Sequence, residues 1–231
     1  MENHTDEYQS WIEKLGWVTP EMLCLLTRGV SRAELPGGRD HRLERFLSES
    51  VRDGKLFTRY IEGQLVYGSS ARTHGKPTNT YHDVMAAQAV VKLWLAFQSS
   101  KLLFTPGEFF AHNSSVIPDF GLTVSSTYGV HGFALEYQTF RESSRTTQTK
   151  IGDYWKHFDG VRRIMDADYL WVVFVLERES EWVEEKAQSL AHSFIYQVDA
   201  STFLHTDEIT TTPIFLTQSG KKVCLVEKNE P

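Results

Sequence analysis

The chain has 231 residues, 41% of them hydrophobic and 23% charged, and a formal net charge of −6. That length suits one large domain or two small ones, and the acidic total excludes a uniformly basic nucleic-acid coat. The longest apolar run, Tyr169 to Leu176, is too short to cross a bilayer, so no membrane partner is expected.

The opening stretch MENHTDEYQS is polar and acidic, without the basic and apolar regions of a secretory signal. Cys24, in MLCLLT, and Cys224, in KKVCLVE, form no CxxC pair. They read as packing thiols in a reducing, cytoplasmic setting. Charge is unevenly spread: between Arg28 and Lys76 ten Lys or Arg stand against six Asp or Glu. A locally basic module can hold DNA phosphates on an otherwise acidic protein, because affinity follows the phosphates neutralised locally.

The first predicted helix covers Asp6 to Leu15, with Trp11, Ile12 and Leu15 as its apolar stripe and Gly16 as its end. WVTPEMLCLLT begins a second helix, with Thr19 as N-cap and Pro20 in the first helical position. SRAELPGGRD reads as a loop or short turn. His41 to Asp53 has helical spacing, burying Leu43, Phe46, Leu47 and Val51, and Gly54 caps its end. KLFTRYI and QLVYGSS, separated by Glu62-Gly63, predict a β-hairpin.

Three short helices followed by a hairpin is the winged-helix order. Such a third helix fits the major groove, and a basic hairpin reaches phosphates or the minor groove. Arg42, Arg45, Arg52, Lys55 and Arg59 are the expected DNA-binding residues. The alternative is that these charges solvate a small domain that docks a protein. ARTHGKPTNTYHD reads as a linker, which divides the chain into residues 1–77 and 78–231.

The second module opens with a helix from His82 to Gln98, for which Thr80 is the expected cap. Three strand segments follow, KLLFTP, SVIPDFGLTV and HGFALEYQTF, with SSTYGV as the turn between the last two. Ser144 to Phe158 predicts a helix with Ile151, Tyr154, Trp155 and Phe158 on its apolar side. DYLWVVFVLE is a central strand, apolar on both faces. Glu181 to His192 predicts another helix, and STFLHT a final strand. In the tail, ITTTPIFLTQ and KKVCLVE have β character around Ser219-Gly220; such a hairpin extends the sheet, covers an edge or joins a partner chain.

The expected fold class is therefore α/β, with an N-terminal winged helix and a mixed sheet flanked by helices. Asp119, after Pro118 in the second strand, and Glu136, near the end of the third, can meet at one sheet edge. Two such carboxylates suit Mg²⁺ or Mn²⁺. Gln138 shares the face of Glu136 by strand alternation.

Pro118-Asp119 and Glu136-Tyr137-Gln138 resemble the motif of the PD-(D/E)xK nuclease superfamily, whose restriction-endonuclease-like fold has the same element order. The resemblance gives Asp119 and Glu136 the role of metal ligands. It puts Gln138 where active members carry the lysine that assists the attacking water, and a neutral amide supplies no such charge. Lys150, in the following helix, is the nearest replacement, and Arg145 a weaker one.

YHDVMAAQAVVKLWL, VIPDFGLTV, FALEYQTF and TKIGDYWKHF together resemble the replication-relaxation family over roughly residues 10 to 178. That resemblance implies a protein of a plasmid or other mobile element with roles in DNA replication or transfer; the family usually has an acidic residue where Gln138 stands. Four functions follow from the sequence. The first is a DNA-binding protein that uses its nuclease-like core as a scaffold. The others are a metal-dependent DNA endonuclease or nickase, a winged-helix transcriptional regulator, and a protein-interaction module. The expected partners are DNA, a second copy of the chain, and a replication or transfer complex.

Overall fold

The computed structural model describes residues 4–69, 77–97, 101–107, 110, 116–177, 194–217 and 221–225. The chain divides into two compact units, Met1–Val91 and Lys92–Pro231.

In the first unit, α1 (His4–Leu15) is followed by the short strand β1 (Trp17–Val18), α2 (Pro20–Arg28), two 3₁₀ turns and α3 (His41–Arg52). A hairpin of β2 (Leu56–Ile61) and β3 (Gln64–Ser69) comes next. The helix starts follow capping chemistry. Thr19 Oγ1 accepts from the Met22 N–H at 3.1 Å, with Pro20 behind it where no N–H is needed. Asp40 caps α3 by accepting from the N–H groups of Arg42 and Leu43, each at 3.1 Å. The hairpin turns at Glu62 and Gly63, both with positive φ (47° and 79°), which matches the twist of a two-residue hairpin loop.

Trp17 and Val18, expected at the head of the second helix, instead pair antiparallel with Gly68 and Tyr67, giving a three-stranded sheet in the order β1-β3-β2. Gly68 is required there, since a Cβ on it would stand 2.8 Å from the Trp17 ring. Tyr8, Ile12, Leu23, Leu43, Leu47, Leu56 and Val66 close the core.

α4 (Pro77–Ala96) begins five residues before its predicted start, and Thr80 is a buried residue inside it and not its cap. Buried residues from Val84 to Leu93 lie around most of its circumference, the pattern of a helix without a solvent face.

The second unit is a seven-stranded mixed sheet flanked by helices, counted among the described residues. Strands β4 (Lys101–Pro106), β5 (Phe120–Ser126) and β6 (Gly129–Gln138) form an antiparallel meander. The crossover helix α5 (Ser144–Ile164) returns the chain to β7 (Tyr169–Leu176), parallel to β6. β8 (Phe194–Asp199) is parallel to β7, then α6 (Ala200–His205) leads to β9 (Phe215–Leu216) and β10 (Lys222–Val223), both antiparallel to their neighbours. The tail thus extends the sheet. Both cysteines are free thiols.

α5 buries Ile151, Tyr154 and Val161 against Ala134, Val172 and Phe174 of the sheet. Phe133, Trp171 and Tyr196 stack in line across β6, β7 and β8, with ring centroids 6.0 and 5.2 Å apart.

Two expectations are corrected. STFLHT, predicted as a strand, lies in α6: the Asp199 carboxylate accepts from the Thr202 N–H at 2.8 Å and starts a helix where side-chain propensity alone favoured a strand. The strand is the preceding segment FIYQVD. Asp119 was expected within the second strand but stands immediately before β5, since Pro118 has no N–H for a ladder. The predicted linker residues 71–76, the helix Glu181 to His192 and the turn Ser219-Gly220 lie outside the described residues. No helix among the described residues is long and apolar enough to cross a membrane.

Candidate functional site

β6 alternates its side chains across the sheet, so Glu136 and Gln138 point to one face and Tyr137 to the other. α5 covers the first of these faces. Thr147, Lys150, Ile151 and Tyr154 recur at helical spacing, which puts all four on the side of the helix toward β6. The result is a polar cluster at the end of an apolar layer. Lys150 Nζ donates to Glu136 Oε2 at 2.6 Å, and Tyr154 Oη donates to Glu136 Oε1 at 2.9 Å. Glu136 is 1% exposed, so its two oxygens depend on these donors for what water would otherwise supply.

Gln138 joins the same cluster. In the amide orientation that satisfies its neighbours, its nitrogen donates to Thr147 Oγ1 (3.3 Å) and Glu142 Oε2 (2.6 Å), and its oxygen accepts from Lys150 Nζ at 3.1 Å. The residue in the expected lysine position therefore holds a lysine from elsewhere.

Asp119 approaches from β5. Phe120 pairs with Leu135, so one step further along the register sets Asp119 beside Glu136. Its N–H donates to the Leu135 carbonyl at 3.0 Å, and the Tyr137 N–H donates to its Oδ2 at 2.7 Å. The carboxylate thus takes the place a strand carbonyl would hold in the ladder.

Burial, and then the charge of Asp119, push the Glu136 carboxyl up to about 7, against the lowering effects of Lys150 and Tyr154. Burial alone would pull Lys150 down, but Glu136 and Asp119 outweigh it and hold the ammonium above its usual range. Tyr154 stays a phenol well past neutrality, first through burial and then through Glu136. The cluster accordingly holds a permanent cation, a permanent donor and one carboxyl that ionises near neutral pH.

The chemistry of the two carboxylates fits a hard divalent cation such as Mg²⁺ or Mn²⁺, which is held by one or two carboxylates with water in its other positions. Among the described residues no group of three or more His, Cys, Asp or Glu side chains gathers as a metal cage.

In the first unit, α3 buries Leu43, Phe46, Leu47 and Ser50 and exposes Arg42, Arg45 and Arg52. Lys55 is exposed at the start of the hairpin, followed by Phe57 and Tyr60, at 48% and 76% exposure. Arg52 also lies 3.3 Å from Asp53. Arg59 is placed differently from the other four. Its guanidinium lies 5.1 Å from the Trp17 ring centroid and donates to Thr80 Oγ1.

Asp119, Glu136, Gln138 and Lys150, expected from the sequence as one site, lie together. Thr147 and Glu142 join them outside that expectation, and Tyr154, expected on the apolar side of its helix, bonds to Glu136. The spacing of Thr147, Lys150 and Tyr154 along one helix face carried that signal. Glu177 had none: it follows an apolar strand, accepts from Tyr137 Oη at 3.0 Å and from the Phe140 N–H at 2.8 Å, and pins the chain just beyond the site. No protein-family model matches the chain, and no curated protein matches it in sequence.

Proposed function

We propose that the protein binds DNA through a winged helix in residues 1–77 and a PD-(D/E)xK nuclease-like core in residues 78–231. The biological setting is replication, maintenance or transfer of a plasmid or other mobile element. The observation that carries DNA binding is the exposed side of α3, where Arg42, Arg45 and Arg52 outnumber the one acid among them, Glu49, and which runs into an exposed hairpin. From Arg42 to Arg52 that side extends about 15 Å at 1.5 Å per residue, a length that lies within a major groove able to admit a helix. Lys55 continues the positive surface onto the hairpin. The four motif segments from YHDVMAAQAVVKLWL to TKIGDYWKHF support the mobile-element setting.

A second reading, metal-dependent cleavage of DNA, is favoured by the 2.6 Å contact between Lys150 and Glu136. Asp119 and Glu136 would hold Mg²⁺ or Mn²⁺, which supplies polarisation of the phosphodiester and a readied water. Lys150 provides a fixed positive charge for the developing phosphate charge, since its neighbours keep it protonated. Tyr154 orients Glu136, and Gln138 holds Lys150 by its carbonyl oxygen.

One experiment separates these readings. Wild type, Glu136→Ala and Lys150→Ala are assayed on supercoiled, linear and single-stranded DNA with and without Mn²⁺ or Mg²⁺. Binding without cutting in any protein supports the scaffold reading. Metal-dependent nicking lost in both variants establishes the enzyme. Absence of binding and cutting sinks both.

A further inference from the structure

We propose that Phe140, with Arg141 beside it, is a stacking platform for an unpaired nucleobase at the rim of the Glu136–Lys150 cluster. This rests on the reading of the second unit as a DNA-binding core, and it names a single-stranded or unpaired segment as what that core holds.

Phe140 is 54% exposed. A single exposed apolar side chain is ordinary, but this one is fixed in place. Its N–H donates to Glu177 Oε2 at 2.8 Å, and the Glu142 N–H closes the turn on the Thr139 carbonyl at 3.0 Å. Glu177 is itself held by Tyr137 Oη at 3.0 Å. The backbone that carries the ring is therefore tied to two strands of the sheet.

The surroundings select the ligand. Arg141 lies over the ring, its guanidinium carbon 5.6 Å from the centroid, and Arg145 is exposed one turn further on. An aromatic face beside guanidinium groups matches a base joined to its phosphates, because every base has a π face and every linkage a negative charge. An apolar protein partner would call for a contiguous apolar patch, whereas Arg141, Glu142, Ser143, Arg145 and Thr146 are all polar. The nearby acids are engaged by protein donors: Glu142 Oε2 takes the Gln138 amide at 2.6 Å, and Glu177 holds the turn.

Phe140 follows Glu136 by four residues, at most about 13 Å of extended chain. That span corresponds to about four stacked nucleotides. A strand whose base rests on Phe140 can therefore reach the cluster within about four nucleotides.

The test uses the full chain with three labelled oligonucleotides of one sequence: a blunt duplex, a forked duplex and a single strand. Phe140→Leu keeps an apolar side chain and removes the ring, and Phe140→Tyr keeps the ring. Thermal melts establish that both variants fold. Alanine substitution of one stacking aromatic weakens binding roughly 5- to 150-fold, and a loss in that range is expected for Phe140→Leu on the fork and the single strand. Blunt-duplex affinity stays within about twofold, and Phe140→Tyr restores fork binding. Photocrosslinking of 5-iodouracil at the fork is expected on the peptide that contains Phe140. Equal losses on all three DNAs, or unchanged fork affinity in Phe140→Leu with duplex binding intact, overturn the platform and leave DNA binding standing. A wild type that binds none of the three overturns the DNA reading, and the platform with it.

Discussion

Lys150 Nζ and Glu136 Oε2 lie 2.6 Å apart, joining the crossover helix α5 to the central strand β6. Glu136 is almost fully buried and Lys150 about two-thirds so, with side-chain exposures of 1% and 32%. Removing one partner of a buried ion pair costs about 3–5 kcal/mol, because the remaining charge is left without compensation. The partial exposure of Lys150 reduces this, and Lys150→Met is expected to cost about 2–3 kcal/mol at pH 8.5. The sign with pH follows from Glu136. Its folded-state ionisation is raised, so the folded state favours its proton and stability falls as pH rises through about 7. The penalty of Lys150→Met therefore shrinks at pH 5.5, where Glu136 is protonated. Urea unfolding at the two pH values checks this, and an equal penalty at both would show that the ion pair is not what the substitution removes.

The same carboxyl gives a site-specific titration. In metal-free buffer, the side-chain carbon resonance of Glu136 is expected to titrate near 7. Asp119→Asn removes the second-largest cause of that rise and moves the midpoint down, while burial keeps it above an ordinary glutamate. A midpoint near 4.5 in the wild type, or one that ignores Asp119→Asn, would mean that the two carboxylates do not share a site.

Much of this cluster is legible in the amino-acid sequence. Glu136 stands out as a charge in an apolar strand, and strand period alone puts Gln138 on its face. The N-caps Thr19 and Asp199 show where local chemistry decides. Thr-Pro announces the Thr19 cap, whereas nothing in the apolar pattern marks Asp199, and STFLHT, by its β-branched and aromatic content, reads as a strand. β1 escaped because two residues have no periodicity; only the long-range pairing of Trp17 with Gly68 defines it. The inward turn of Arg59 was invisible for a similar reason, since Thr80 is 21 residues away in sequence. Periodicity reports faces, and it reports partners only where both lie on one element.

Asp40 supplies an acid-side prediction. It is buried, caps α3 and bonds to Arg28. Burial alone would raise its carboxyl, but the Arg28 bond and the N–H groups of Leu43 and Arg42 outweigh it and hold it below the usual range. A depressed carboxyl stabilises the fold above its unfolded value and loses that contribution as pH falls through the folded one. Asp40→Ala, which removes both cap and ion pair, is expected to cost about 2 kcal/mol or more at pH 7. Asp40→Asn keeps the cap and loses less. As pH falls through the depressed value of Asp40, wild type and Asp40→Asn converge. Parallel unfolding curves from pH 7 down to the lowest pH at which both proteins fold measure this, and a constant gap between the two proteins would remove the ion pair from the account.

The basic face of α3 makes a prediction that separates contact from scaffold. Each phosphate neutralised by Arg or Lys adds about 0.9 to the slope of log affinity against log salt. Arg42→Ala and Arg45→Ala, both exposed and outside the core, are each expected to reduce the slope by about one such unit while leaving the melting temperature within a degree or two. Arg59→Ala should behave in the opposite way. Its guanidinium is committed to Thr80 and the Trp17 ring, so its loss removes one tie between the hairpin and the rest of the first unit and lowers the melting temperature with little change in slope. Affinity measured by fluorescence anisotropy at several salt concentrations, beside thermal melts of the same proteins, distinguishes the two behaviours. If Arg42→Ala and Arg45→Ala leave the slope untouched, α3 is not the DNA-facing helix and its arginines serve only to solvate the unit.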